Sequence, residues 1–120
     1  PKDTKIVHWL IPLSPKGELL LQKRIDKGLW EGLWTFIESD KREILEQECL
    51  MRFKIENRNL HPLKTVKHSF SHYNLVAIPY VIEVKKSAIY KNTVWVNPIN
   101  VESLGIPAPI KKTMQQVTTL

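Results

Sequence analysis

Residues 67–75 read KHSFSHYNL, a short stretch that crowds together two histidines, two serines and two aromatic rings. Three chemistries suit those residue types. His68 and His72 are four apart, a spacing that puts two metal ligands on one helix face. Ser71 beside His72 offers a nucleophile and a base. Phe70 could fill a gap beside a nucleic-acid base, and Ser71 could exchange a hydrogen bond with a base edge. Lys64, Lys67 and Ser69 could then hold phosphates. The first two chemistries lack their frames. No HExxH pattern occurs and no second cluster of His, Cys or Asp stands nearby, so no metal site is expected. No GxSxG elbow surrounds Ser71, and adjacent strand residues face opposite ways. A nucleic-acid probe stays open, beside the plainer reading of a loop packed at a strand entry. His8 and His61 are isolated and read as structural or surface residues.

Other reactive residue types have plainer roles. Cys49 is the sole cysteine, which excludes an internal disulfide and a cysteine-rich metal site. Its spacing from Leu45 and Phe53 places it on the apolar face of a helix. The segment IDKGLWEGLWTF, residues 25–36, holds GLW twice. Gly28 and Gly32 bend the chain there, and Trp30, Trp34 and Phe36 are expected to fill space between sheet and helix.

The elements that must carry these residues follow from periodicity and turn chemistry. Residues 5–13 and 18–24 predict two strands joined by the SPKG turn. Asp40 and Glu43 suggest a capping box for a helix over about residues 41–54. The run YNLVAIPYVIEV predicts a long central strand, apolar on both faces, with a bulge or free edge at Pro79 because proline lacks the ladder donor. KKSAIYKN reads as a polar connection and TVWVN as a short strand. Residues 98–104 predict one or two helical turns closed by Gly105. A terminal helix with Pro109 at its first position presents Ile110, Met114 and Val117. The fold class is α/β (α+β), a mixed or antiparallel sheet packed against at least two helices.

Size and charge set the outer bounds. The chain has 120 residues, 42% of them hydrophobic, enough for one domain with a real core. It carries 18 basic against 12 acidic residues, net +6, which favours an anionic partner, nucleic acid first. No stretch approaches the roughly 20 apolar residues of a membrane span. The opening PKDTKIVHW has neither an initiator Met nor an apolar leader. It reads as a fragment cut at a linker, with residues 1–4 as linker remnant and function shared with a missing part.

Three segments in order resemble one family. ELLLQKRIDKGLWEGLWTFIES, KHSFSHYNL, and VWVNP followed by GIPAPIKK resemble the C-terminal domain of the MutY family of adenine DNA glycosylases, with its LLLxxR, GLWxGLWxFP and HxFSHxxL motifs. The resemblance spans most of residues 18–112. It implies a Nudix-like fold similar to MutT and a role in recognising 8-oxoguanine opposite adenine in duplex DNA. It implies lesion recognition by Phe70 and Ser71, with His72 completing the motif and His68 at its start. It also implies an N-terminal glycosylase domain in cis, with a helix-hairpin-helix, a catalytic glutamate and aspartate, and a four-cysteine [4Fe–4S] cluster. Ile37 stands where the family usually has proline, which alters a turn.

Active Nudix hydrolases carry a carboxylate set for magnesium on their helix. Ending the helix at Lys54-Ile55 leaves Glu48 alone of that set, with Met51 and Arg52 where a glutamate pair should stand. A second register over REILEQECL keeps Gly28, Arg42, Glu43 and Glu46 but loses the rest. The domain is therefore expected to be non-catalytic, with no cofactor or metal of its own. It is expected to be a monomer, intracellular, and from a bacterial cytoplasm or nucleoid. The alternatives are a Nudix pyrophosphohydrolase and a protein-interaction domain of the same fold.

Overall fold

Strand β1, Asp3–Leu13, alternates its side chains between two interiors, and the rest of the fold is built on that alternation. In the computed structural model, which describes residues 2–56, 59–85 and 88–118, β1 pairs in parallel with β7, Tyr73–Glu83, from Asp3↔Tyr73 to Leu13↔Glu83. Val7, Trp9 and Ile11 join Leu75, Ala77 and Val81 on one face. Leu10 joins Tyr80 and Ile82 on the other. Both strands are therefore apolar on both sides, as the sequence of β7 requires of a central strand. The segment assigned above to a linker is partly sheet, since Asp3 and Thr4 belong to β1; Pro1 lies outside the described residues.

The remaining strands complete one mixed sheet. A tight turn at residues 14–17, with Gly17 at φ 80°, returns the chain into β2, Leu19–Lys23, antiparallel to β1. β3, Trp34–Thr35, and β8, Thr93–Val96, pair with β2, while β4, Ile37–Ser39, pairs with β1. On the far side of β7 lie β5, His61–Pro62, and β6, Val66–Ser69, both antiparallel to it. The register steps by one residue between them. His61↔Val81 and Pro62↔Tyr80 precede Val66↔Ala77, so residues 63–65 stand opposite residues 78–79. That is the bulge expected at Pro79. Its carbonyl accepts from Leu63 N at 2.9 Å, so its missing donor falls on the bulged side.

A helix covers each face. α2, Ala108–Val117, buries Pro109, Ile110, Thr113, Met114 and Val117 against the Trp9 face. Pro107 is its N-cap, so Pro109 sits one position later than expected. α1, Arg42–Glu48, continues as a π-helical turn, Cys49–Phe53, and buries Leu45 and Cys49 against the Leu10 face with Phe53 packed beside them. The capping box does not form. Lys41 holds the N-cap position with no side-chain bond, and the Ser39 hydroxyl accepts from Lys41 N instead. Asp40 lies one residue too early to cap. Residues 98–104 make two separate turns, Asn100 N to Asn97 O and Leu104 N to Val101 O, rather than a helix. Residues 86–87 of the polar connection lie outside the described residues. Among those described, no helix is long and apolar enough to cross a membrane.

Candidate nucleic-acid interface

KHSFSHYNL folds as a hairpin. Ser69 pairs with Asn74, and Phe70 N donates to Tyr73 O at 2.8 Å, which leaves Ser71 and His72 as a two-residue tip. Positive φ outside glycine is confined, among described residues, to Trp30, Lys54 and Asn92, so this tip is not one of the primed turns usual for such short loops. Ser71 and His72 are both exposed.

Phe70 points elsewhere. Val66, His68 and Phe70 share one face of β6 and its extension, and that face looks toward the α2 core. The Phe70 ring is half-buried, edge-on to His68 at 4.6 Å and tilted against Tyr73 at 5.0 Å and Trp30 at 6.0 Å. The turn thus presents Ser71 outward but turns Phe70 onto the sheet. His68 is part of this aromatic base rather than of the tip. Lys67 and Ser69 are exposed on the opposite face of β6, where Lys2 Nζ donates to Ser69 Oγ at 2.8 Å. Lys64 is exposed at the bulge.

Two features that the sequence reading missed fix this base. Trp30 adopts φ 61° between Gly28 at 124° and Gly32 at 81°, a winding that swings its ring over Phe70. Arg24 lies 5.6 Å from the centre of the Trp30 ring and forms a two-point pair with Glu38 at 3.2 Å. Glu38 in turn accepts from the Trp9 indole at 2.9 Å. Contacts therefore run from the buried core through Glu38, Arg24 and Trp30 to Phe70. The signal was present in the sequence as GLW followed by HxF, but their juxtaposition depends on the pairing of distant strands.

The other candidate chemistries find little support. Among described residues no three His, Cys, Asp or Glu side chains gather as metal ligands. Glu46 pairs with Arg42 at 3.1 Å and Glu48 with Arg52 at 3.2 Å, so two of the α1 carboxylates face arginines one turn away. Cys49 is fully buried, and burial, reinforced by the Glu46 and Glu48 carboxylates, pushes its thiol from 9.0 up to about 11. It is a core residue, not a nucleophile. His8 stacks on Tyr80, with Nδ1 3.3 Å from the phenol oxygen, and His61 is exposed on β5.

Comparison with known proteins places this geometry in a family. Residues 8–116 match the NUDIX domain. An adenine DNA glycosylase of Buchnera aphidicola subsp. Baizongia pistaciae is 30% identical over 117 residues, 94% of this chain. The chain spans 33% of that relative's length. Among solved structures, the C-terminal domain of mouse MUTYH, crystallised with human PCNA, superposes with a TM-score of 0.75 at 20% identity, covering 95% of this chain and 88% of that one. The MutT protein of Methanosarcina mazei Go1 gives 0.71 at 18%, covering 98% and 95%. The NUDIX domain of Shewanella oneidensis NrtR, complexed with ADP ribose, gives 0.76 at 12%, covering 99% and 89%. With β7 and α1 wholly inside the matched region, and all of α2 but Val117, the chain belongs to the NUDIX domain family and resembles the form of it found in adenine DNA glycosylases.

Proposed function

We propose that this domain recognises 8-oxoguanine opposite adenine in duplex DNA, as the non-catalytic part of an adenine DNA glycosylase in bacterial base excision repair. The observation that carries the reading is the hairpin tip, with Ser71 and His72 exposed above a packed aromatic base and lysines along the adjoining edge. 8-Oxoguanine carries a hydrogen at N7 and an oxygen at C8, where guanine has only the N7 lone pair. A serine hydroxyl can accept from the first or donate to the second. One such contact is worth about 1–3 kcal/mol of discrimination. Phe70 sets the height and direction of the tip, and Lys64, Lys67 and Ser69 contact the backbone.

In this reading catalysis belongs to a glycosylase domain in cis, outside these 120 residues. A [4Fe–4S] cluster would belong there too, since one buried cysteine does not furnish four thiolates. A second reading, a nucleotide pyrophosphohydrolase, is favoured by a cavity of about 520 Å³ bordered by Lys5, Lys23, Arg24, Lys27 and Lys91. Magnesium-dependent hydrolysis of 8-oxo-dGTP by the chain would establish that reading instead.

The test is Ser71→Ala and Phe70→Ala, singly and together, in the full-length glycosylase after folding is confirmed. Single-turnover adenine removal and binding are measured on 8-oxoguanine:adenine and guanine:adenine duplexes. Ser71→Ala should erode the preference between them more than it erodes overall affinity. Phe70→Ala should weaken capture of the lesion, non-additively with its neighbour. An unchanged preference in the double variant would sink the assignment of this hairpin.

A further inference from the structure

Between edge strand β6 and helix α2 the two layers do not close, leaving a cleft of about 370 Å³. Its lining includes Lys64, Lys67, His68 and Lys112, with Ala108 and Pro109 at the start of α2, and contains no Asp or Glu. All three lysines are exposed. The ion pairs formed among described residues, Arg24–Glu38, Arg42–Glu46 and Arg52–Glu48, use none of them. Ammonium groups gathered without an acidic neighbour repel one another, and an anion between them relieves that repulsion. The cavity beside Arg24 differs here, because Asp26 and Glu38 stand among its basic groups.

The cleft is also continuous with the hairpin. His68 lines it while packing its ring against Phe70. From Val66 to the tip, β6 advances about 3.3 Å per residue. The cleft thus opens within a few phosphate spacings of Ser71. Lysines drawn from both a strand and a helix can hold successive phosphates of one backbone.

We propose that the cleft between β6 and α2 is a phosphodiester-binding site, in which Lys112 joins Lys64 to hold the backbone of the strand whose base meets the hairpin tip. This makes α2 a DNA-contacting element as well as a core helix. The inference rests on the DNA-recognition reading above. Its ligand is the duplex backbone rather than a free nucleotide, and its contribution is independent of the base being read.

The test uses the chain itself, with Lys64→Gln, Lys112→Gln and their double variant. Lys16→Gln, in the β1–β2 turn at the opposite end of the sheet, removes the same charge as a control. Binding to 8-oxoguanine:adenine and undamaged duplexes is followed by fluorescence anisotropy across a salt series. Each cleft variant should lose affinity several-fold and equally on both duplexes, and its salt slope should fall by about 0.9 for each phosphate no longer neutralised. Lys16→Gln should leave the slope unchanged. Cleft variants that behave like Lys16→Gln would overturn the cleft while leaving the hairpin assignment standing. Failure of the unmodified chain to bind any duplex would overturn both. Displacement of duplex by micromolar inorganic pyrophosphate at constant ionic strength would also overturn the proposal, reassigning the cleft to a free nucleotide.

Discussion

Cys49 shows how one environment decides a residue's chemistry. Its thiol is buried beside Leu45 and follows the Glu46 and Glu48 carboxylates in the chain, and it stays protonated to about pH 11. Thiol reagents need the thiolate, so the native chain should resist alkylation until it unfolds. The sign for stability follows from linkage. A folded pKa above the unfolded value gives stability that is complete below pH 9 and is lost as pH rises toward 11. The loss is about 3 kcal/mol. Cys49→Ala should flatten that alkaline decline relative to the parent, as read by urea denaturation at pH 8 through 11. A variant declining as steeply as the parent would place the titration elsewhere. The core role of Cys49 was legible from its spacing with Leu45 and Phe53. The inward turn of Phe70 was not, because it depends on which face of β6 meets α2 and on Trp30 arriving from the other half of the chain.

At the scale of elements, strands were more legible than helix ends. The strands announce themselves by alternation, and even the Pro79 bulge follows from a missing N–H. Helix ends depend on a single residue's position. Asp40 has the right side chain for a cap but precedes the residue that takes the extended N-cap conformation, Lys41, with φ −127° and ψ 130°. The expected α-helix also widens into a π-turn over Cys49–Phe53, ending at Lys54 with φ 61°. Periodicity alone does not distinguish that widening from a regular last turn. The cap supplies a prediction. Lys41→Asp places a side-chain acceptor at an N-cap that has none, at the end of the helix that favours negative charge. It should add about 1 kcal/mol, which is roughly 3–6 °C in Tm for a chain of this size. Calorimetry showing no gain would mean that the first amides of α1 gain nothing from a side-chain acceptor at the N-cap.

For the molecule as a whole, fold and function differ in how far the sequence reaches. The NUDIX family match spans residues 8–116, and the sheet, the two helices and the two cores agree with the mixed architecture expected from the chain. The interface was legible only as a motif. Its geometry depends on a parallel pairing of β1 with β7 from opposite halves of the chain, and on an α2 that closes one face while leaving a cleft at the edge. The net charge of +6 concerns that surface, not the fold.

The alternation of β1 and β7 has a further consequence, for how the chain can change length. Each strand is a wall shared by two rooms, with Trp9 in one and Leu10 in the other. Adding one residue inside such a wall moves every later side chain across it. Adding two returns each side chain to its original room and displaces only the strand end. Length in these strands therefore has a parity that the β1–β2 turn does not share. A single alanine inserted between Val7 and Leu10 should abolish cooperative unfolding, whereas the same insertion between Pro15 and Gly17 should leave a folded protein with a modestly lower Tm. Circular dichroism melts of the two insertions decide it, and equal tolerance at both places would show that the two interiors are interchangeable.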